Sequence, residues 1–121
     1  MATFTKTKLS GSTDGKGVKV VATASAGTTI HTGSATATTY EEIWLYAINT
    51  DSADRKLTIQ WGGTTSPDDY IEQTITTEAG LTLIAPGLIL KGNSSAALII
   101  KAFAAAANVI ILHGYVNQIT A

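Results

Sequence analysis

The sequence predicts an all-β fold, a single-domain antiparallel β-sandwich of jelly-roll type, and three observations carry that prediction. Short runs rich in Thr, Val, Ile and aromatic residues recur at roughly ten-residue spacing. Clusters of Gly, Asn, Asp, Ser or Pro separate them, as the turns of a sandwich or barrel require. No segment of convincing length carries the apolar period of a helix. A chain of 121 residues suits one domain, and folding at this size buries roughly two-thirds of the surface without a covalent staple. The chain has no cysteine, which rules out disulfides, thiolate zinc sites and cysteine nucleophiles.

In chain order, the first strand is expected at 3–9, where Thr alternates with Phe4, Lys6 and Lys8. Residues 1–15 read as an N-terminal arm and first strand, with Phe4 its main apolar anchor, and residues 16–121 as the sandwich itself. Ser10-Gly11-Ser12-Thr13-Asp14-Gly15 turns the chain into strands at 18–24 and 28–32. The strand at 41–49 carries Ile43-Trp44-Leu45-Tyr46-Ala47-Ile48, apolar on both faces, and needs cover on both sides. That cover is either a loop of the same chain or a neighbouring copy. Asn49 to Asp54 form a turn, and at 56–62 the pattern becomes one-sided: Leu57, Ile59 and Trp61 face the core while Lys56, Thr58 and Gln60 face outward. A Pro67-containing turn leads to strands at 70–76, 81–84, 88–91 and 97–103. Ala102-Phe103-Ala104-Ala105-Ala106-Ala107 favours helix by propensity alone but spans barely two turns, so it reads as a connection with one helical turn. The last strand, 109–118, opens on Val109-Ile110-Ile111-Leu112, again apolar on both faces. The apolar window 95–112 is broken by Lys101 and Asn108 and reads as two strands, not a membrane span.

Only 14% of residues are charged, against roughly 25% in an average soluble domain, and the net charge is -1. Such a neutral surface, rich in Thr, Ala and Gly, is either hidden in an assembly, the reading preferred, or kept soluble by its hydroxyl groups. The basic residues Lys6, Lys8, Lys16, Lys19, Arg55, Lys56, Lys91 and Lys101 are spread along the chain, which argues against nucleic acid as the main partner. The one local excess, Lys6 to Lys19 against Asp14 alone, is either a solvated edge or a contact for an acidic neighbour. Met1 leads into the first strand without the basic start and apolar stretch of a signal peptide, so synthesis in a cytoplasm is expected.

No catalytic, cofactor or metal residue is assigned from the sequence. His31 and His113 lack any spacing that would place two ligands on one metal; His113 reads as a hydrogen-bonded core or interface imidazole, and for His31, among Thr29, Thr32 and Ser34, ordinary turn hydrogen bonding suffices. Glu41 and Glu42 are consecutive in a strand, point to opposite faces and cannot work as a carboxylate pair. Asp68 and Asp69 after Pro67 suit a turn. Asn49, Asp51 and Asp54 are the least poor cation ligands, but their spacing fails the calcium-loop pattern. Asn93-Ser94-Ser95 matches a glycosylation acceptor, a pattern common by chance. Trp44, Tyr46, Trp61 and Tyr70 offer the ingredients of a sugar-stacking platform, although strand aromatics mostly fill cores.

Several stretches resemble small proteins from the structural modules of tailed bacteriophages. They are Gly27-Thr28-Thr29-Ile30-His31-Thr32, Glu42-Ile43-Trp44-Leu45-Tyr46-Ala47-Ile48-Asn49-Thr50 and Gly62-Gly63-Thr64-Thr65-Ser66-Pro67-Asp68-Asp69, then Ala85-Pro86-Gly87-Leu88, Lys101-Ala102-Phe103-Ala104, Asn108-Val109 and Gly114-Tyr115-Val116-Asn117. The likeness runs from about Lys16 onward and rests on packing and turn motifs. It implies a capsid decoration, or cement, protein: a small β-sandwich or jelly roll, trimeric, seated on the outer capsid surface of a virion and bridging subunits of the major capsid protein, with neither nucleic acid nor membrane as partner. No contact residue carries over from the family. The alternatives are a head-fibre base or tail accessory protein, and a carbohydrate-binding module.

Overall fold

In the computed structural model, which describes residues 2–120, the strictest alternation belongs to β4 (Thr39–Asn49). Glu41, Ile43, Leu45 and Ala47 are buried, while Glu42, Trp44, Tyr46 and Ile48 between them are half-exposed. Successive side chains of a strand point to opposite faces, so one sheet surface turns inward and the other stays wet. β4 lies at the centre of sheet I, in the order β1 (Thr3–Lys8), β9 (Ile110–Thr120), β4 and β7 (Thr82–Lys91). The two-residue β2 (Val18–Lys19) continues along the edge of β9 that β1 occupies. Sheet II runs β3 (Thr28–Thr32), β8 (Ile99–Ala104), β5 (Arg55–Trp61) and β6 (Tyr70–Ile75). Every pairing is antiparallel.

From β2 onward the chain crosses between the sheets at every connection except β5 to β6, giving the order 2-9-4-7 opposite 3-8-5-6. This is the two-Greek-key arrangement of a jelly roll. The core is the interdigitated inner faces, with Leu9, Val20, Ile30, Ile43, Leu45, Leu57, Ile59, Ile100, Ile110 and Leu112 essentially sealed. The window 95–112 contains the whole of β8 and the start of β9.

Four expectations change. The strands expected at 81–84 and 88–91 are one strand, β7, whose Pro86-Gly87 breaks the register with β4 without ending the ladder. The strand at 18–24 shortens to Val18–Lys19, and the chain beyond it crosses the outer side of sheet II, held by the Ala104 N–H to the Ala22 carbonyl. That crossing covers Thr58 and Gln60. Both point away from the core, as alternation requires, yet they are 2% and 0% exposed. Gln60 Oε1 accepts the Gly27 N–H at 2.8 Å, and its amide donates to Ser25 Oγ at 2.8 Å and to Tyr70 Oη. Finally, the alanine tract forms no helix: Ala102 and Ala104 are core residues of β8, and the chain then turns through Asn108 at φ 66°. Burial of these small side chains between the sheets overrides their helix propensity.

Cover for the two-faced strands is uneven. Ile110 is fully enclosed by its own chain, but Trp44, Tyr46, Ile48 and Ile111, on the far side of sheet I, remain half-exposed.

Candidate functional site

The outer face of sheet I is built by register. Antiparallel partners share a face, so Glu42, Trp44 and Tyr46 of β4 stand beside Asn117, Tyr115 and His113 of β9. Lys6 and Lys8 of β1 extend those rows on one side, and Ile89, Pro86 and Leu83 of β7 on the other. The Trp44 and Tyr115 rings lie 6.2 Å apart and 12° from parallel, and the Lys6 ammonium sits 4.9 Å from the Tyr115 ring centre. Glu42 Oε1 accepts the Trp44 indole N–H at 2.8 Å and the Asn117 amide at 3.1 Å. These two donors hold the Glu42 carboxyl below its ordinary value, the indole contributing most. Gly87, at φ 76°, takes the left-handed turn of the β7 bulge, and a Cβ there would come within 3.0 Å of the indole.

Beside this cluster a depression of about 400 Å³ is lined by Phe4, Thr5, Lys6, Glu42, Asn117 and Ile119. The face is unusually greasy for a surface. Among the described residues seven large apolar side chains are exposed, and register places Phe4, Tyr40, Leu83 and Ile89 of them on this face; Leu88 is paired with the inward-facing Ile43, Leu81 precedes β7 and Val21 lies elsewhere, and Phe4 is 73% exposed. A contiguous patch of this kind marks a contact surface.

No family model, curated protein or solved structure matches the chain.

A second constellation lies buried at the end of the sandwich where β3, β4 and β9 meet. Glu41 Oε1 is 2.7 Å from His31 Nε2, and Oε2 accepts the Gln118 amide at 2.9 Å. His31 Nδ1 accepts the Ser10 backbone N–H at 3.0 Å, so the ring proton sits on Nε2 and is donated to Glu41. Burial raises the Glu41 carboxyl, but the hydrogen bonds from His31 and Gln118 outweigh it and leave a net lowering. Both ring nitrogens of His31 are engaged, and the pair ties the β1–β2 turn to three strands. Sequence reasoning gave His31 only ordinary turn hydrogen bonding and missed this. The signal was the parity of β4: Glu41 shares a face with Ile43 and Leu45, so it required a buried partner.

The remaining candidates are dispersed. His113 is half-exposed on the outer face of sheet I, beside Tyr46. Glu41 and Glu42 do point to opposite faces. Asp69 closes the Pro67 turn, its carboxylate accepting the Thr65 N–H at 3.0 Å. At the end of β4 Asn49 Nδ2 donates to the carbonyls of Ala53 and Ile75. Asp51 takes the Arg55 guanidinium at 2.6 Å, which lowers its carboxyl, and Asp54 accepts the Thr77 N–H. Among the described residues no group of three or more His, Asp or Glu could hold a metal ion. Asn93 is exposed, and its side-chain oxygen accepts the N–H groups of Ser95 and Ala96. The four aromatics do not share one platform: Trp44 and Tyr46 lie on sheet I, whereas Trp61 packs against the core and Tyr70 makes an edge contact with Phe103 on sheet II.

Proposed function

We propose that this chain is a non-enzymatic structural protein of a phage virion, a decoration or cement protein that binds the outer head surface as a trimer and bridges capsid subunits. The observation that carries the reading is the outer face of sheet I, a rigid apolar and aromatic surface that its own chain leaves wet. The resemblance of the turn and packing motifs to phage structural proteins supplies the setting. Cement of this kind adds buried area across joints that packed DNA strains, and a trimer sums several modest contacts through multivalency.

The N-terminal strand offers a second contact. β1 is paired with β9 on one side only, and nearly all its residues are exposed, so its other edge is open to strand addition by a neighbour. Leu9 and Ser10 are excluded from that role, because Leu9 is in the core and Ser10 holds His31. The test is to mix purified protein with heads that lack it and to weigh the free protein under native conditions. Saturable binding and a trimer are expected, and removal of residues 1–7 weakens head binding while the fold survives. A monomer that ignores heads refutes the reading.

A further inference from the structure

We infer that the outer face of sheet I docks on a protein surface with an apolar centre and an acidic rim, supplied by a different protein and not by a second copy of this chain. Strand pairing collects lysines that are far apart in sequence. Lys6 and Lys8 lie across from Asn117 and Tyr115, Lys19 from Ile111, and Lys91 from Tyr40, so all four share the outer face and rim its apolar middle. All four are exposed. Among the side chains of the described residues, Glu42 is the one carboxylate standing on that face, since Glu41 points inward. Most of the remaining acids, Asp51, Asp54, Asp68, Asp69, Glu72 and Glu78, sit on β6 or on loops adjoining sheet II.

This charge map decides between occupants. Two copies joined face to face by a twofold axis would set lysines against lysines, which is unfavourable. A head-to-tail copy would offer the acids of sheet II, but among the described residues no strand of sheet II carries an exposed large apolar group, so the greasy centre would meet no match. A nucleic acid would suit the lysines and aromatic rings. It would also press phosphates on the Glu42 carboxylate, held in place by Trp44 and Asn117, and leave Leu83 and Ile89 against nothing they can stack with. An acidic, apolar-centred protein surface answers both features.

The identity of the partner rests on the head-surface reading; its chemistry rests on the charge map. Binding to heads that lack the protein is measured for the wild type, for Lys6→Glu combined with Lys91→Glu, and for Lys101→Glu on sheet II as control, each checked by its melting curve. The same proteins are titrated with a random copolymer of Glu and Tyr and with an oligothymidylate. Wild-type binding to heads and copolymer should fall about tenfold or more as salt rises from roughly 50 to roughly 300 mM. It should fall by a similar factor in the double variant and stay unchanged in the control. Heads bound equally well by the double variant, without salt sensitivity, overturn the face and leave the head-surface reading standing. Copolymer binding that follows this pattern beside heads never bound sinks that reading and keeps the face. Tighter binding to oligothymidylate than to copolymer, or a twofold dimer that the double variant abolishes, overturns the proposal outright, as does failure to bind either heads or copolymer.

Discussion

Glu41 and Glu42 are neighbours in one strand and live in different worlds. Glu41 is sealed between the sheets and shared among His31, Gln118 and, through His31, the Ser10 backbone; Glu42 stands in the open on sheet I between Trp44 and Asn117. Identical chemistry is put to two uses by a half-turn of the strand. The buried carboxylate makes its bonds because leaving it unpaired in the interior would be ruinous, so its surroundings are specified by stability. The exposed one has water as an alternative partner, so the order imposed on it contributes little to folding and instead shapes the surface offered to others.

The sharpest way to break this contrast is His31→Ala. It strands the Glu41 carboxylate with Gln118 alone and should destabilise the fold by about 3 kcal/mol in denaturant unfolding. Second is pH. The folded-state value of Glu41 lies below its unfolded value, so the stability it contributes is full above the ordinary glutamate range near 4.5 and is lost as pH falls through the lowered value. The melting midpoint of the wild type should drop on acidification below about pH 4.5, and Glu41→Gln should flatten part of that slope. A midpoint that instead drops as pH rises from neutrality would mean that another group governs. Smallest is Glu42→Gln, which should leave the unfolding midpoint within error while altering contact with any partner that reads this face.

Much of this was legible in the chain. The turn spacing and alternation point to a jelly roll, and the strand period separates Glu41 from Glu42 correctly. What stayed hidden depends on partners distant in sequence. Gln60 looks like a solvent-facing residue because the crossing chain that covers it, at 20–27, is distant in sequence and reads in part as the end of a strand at 18–24. Pro86-Gly87 reads as punctuation between two strands, although a bulge at a sheet edge tolerates both residues. The alanine tract misleads because propensity is local and burial is not. The lysine-rimmed face was out of reach until β1, β2 and β7 were known to flank β9 and β4, since nothing in the sequence links Lys6 with Lys91.

The two rims of sheet I are unlike. Along β7, Pro86 brings no amide hydrogen and Gly87 twists the strand out of line, despite the exposed Leu81, Leu83, Leu88 and Ile89 nearby; along β1 the rim is regular and unbroken. A chain-to-chain ladder started at the regular rim finds the interrupted one on the far side of the sheet it has joined. Growth by this route therefore meets, after one union, an edge whose ladder is interrupted at Pro86 and Gly87.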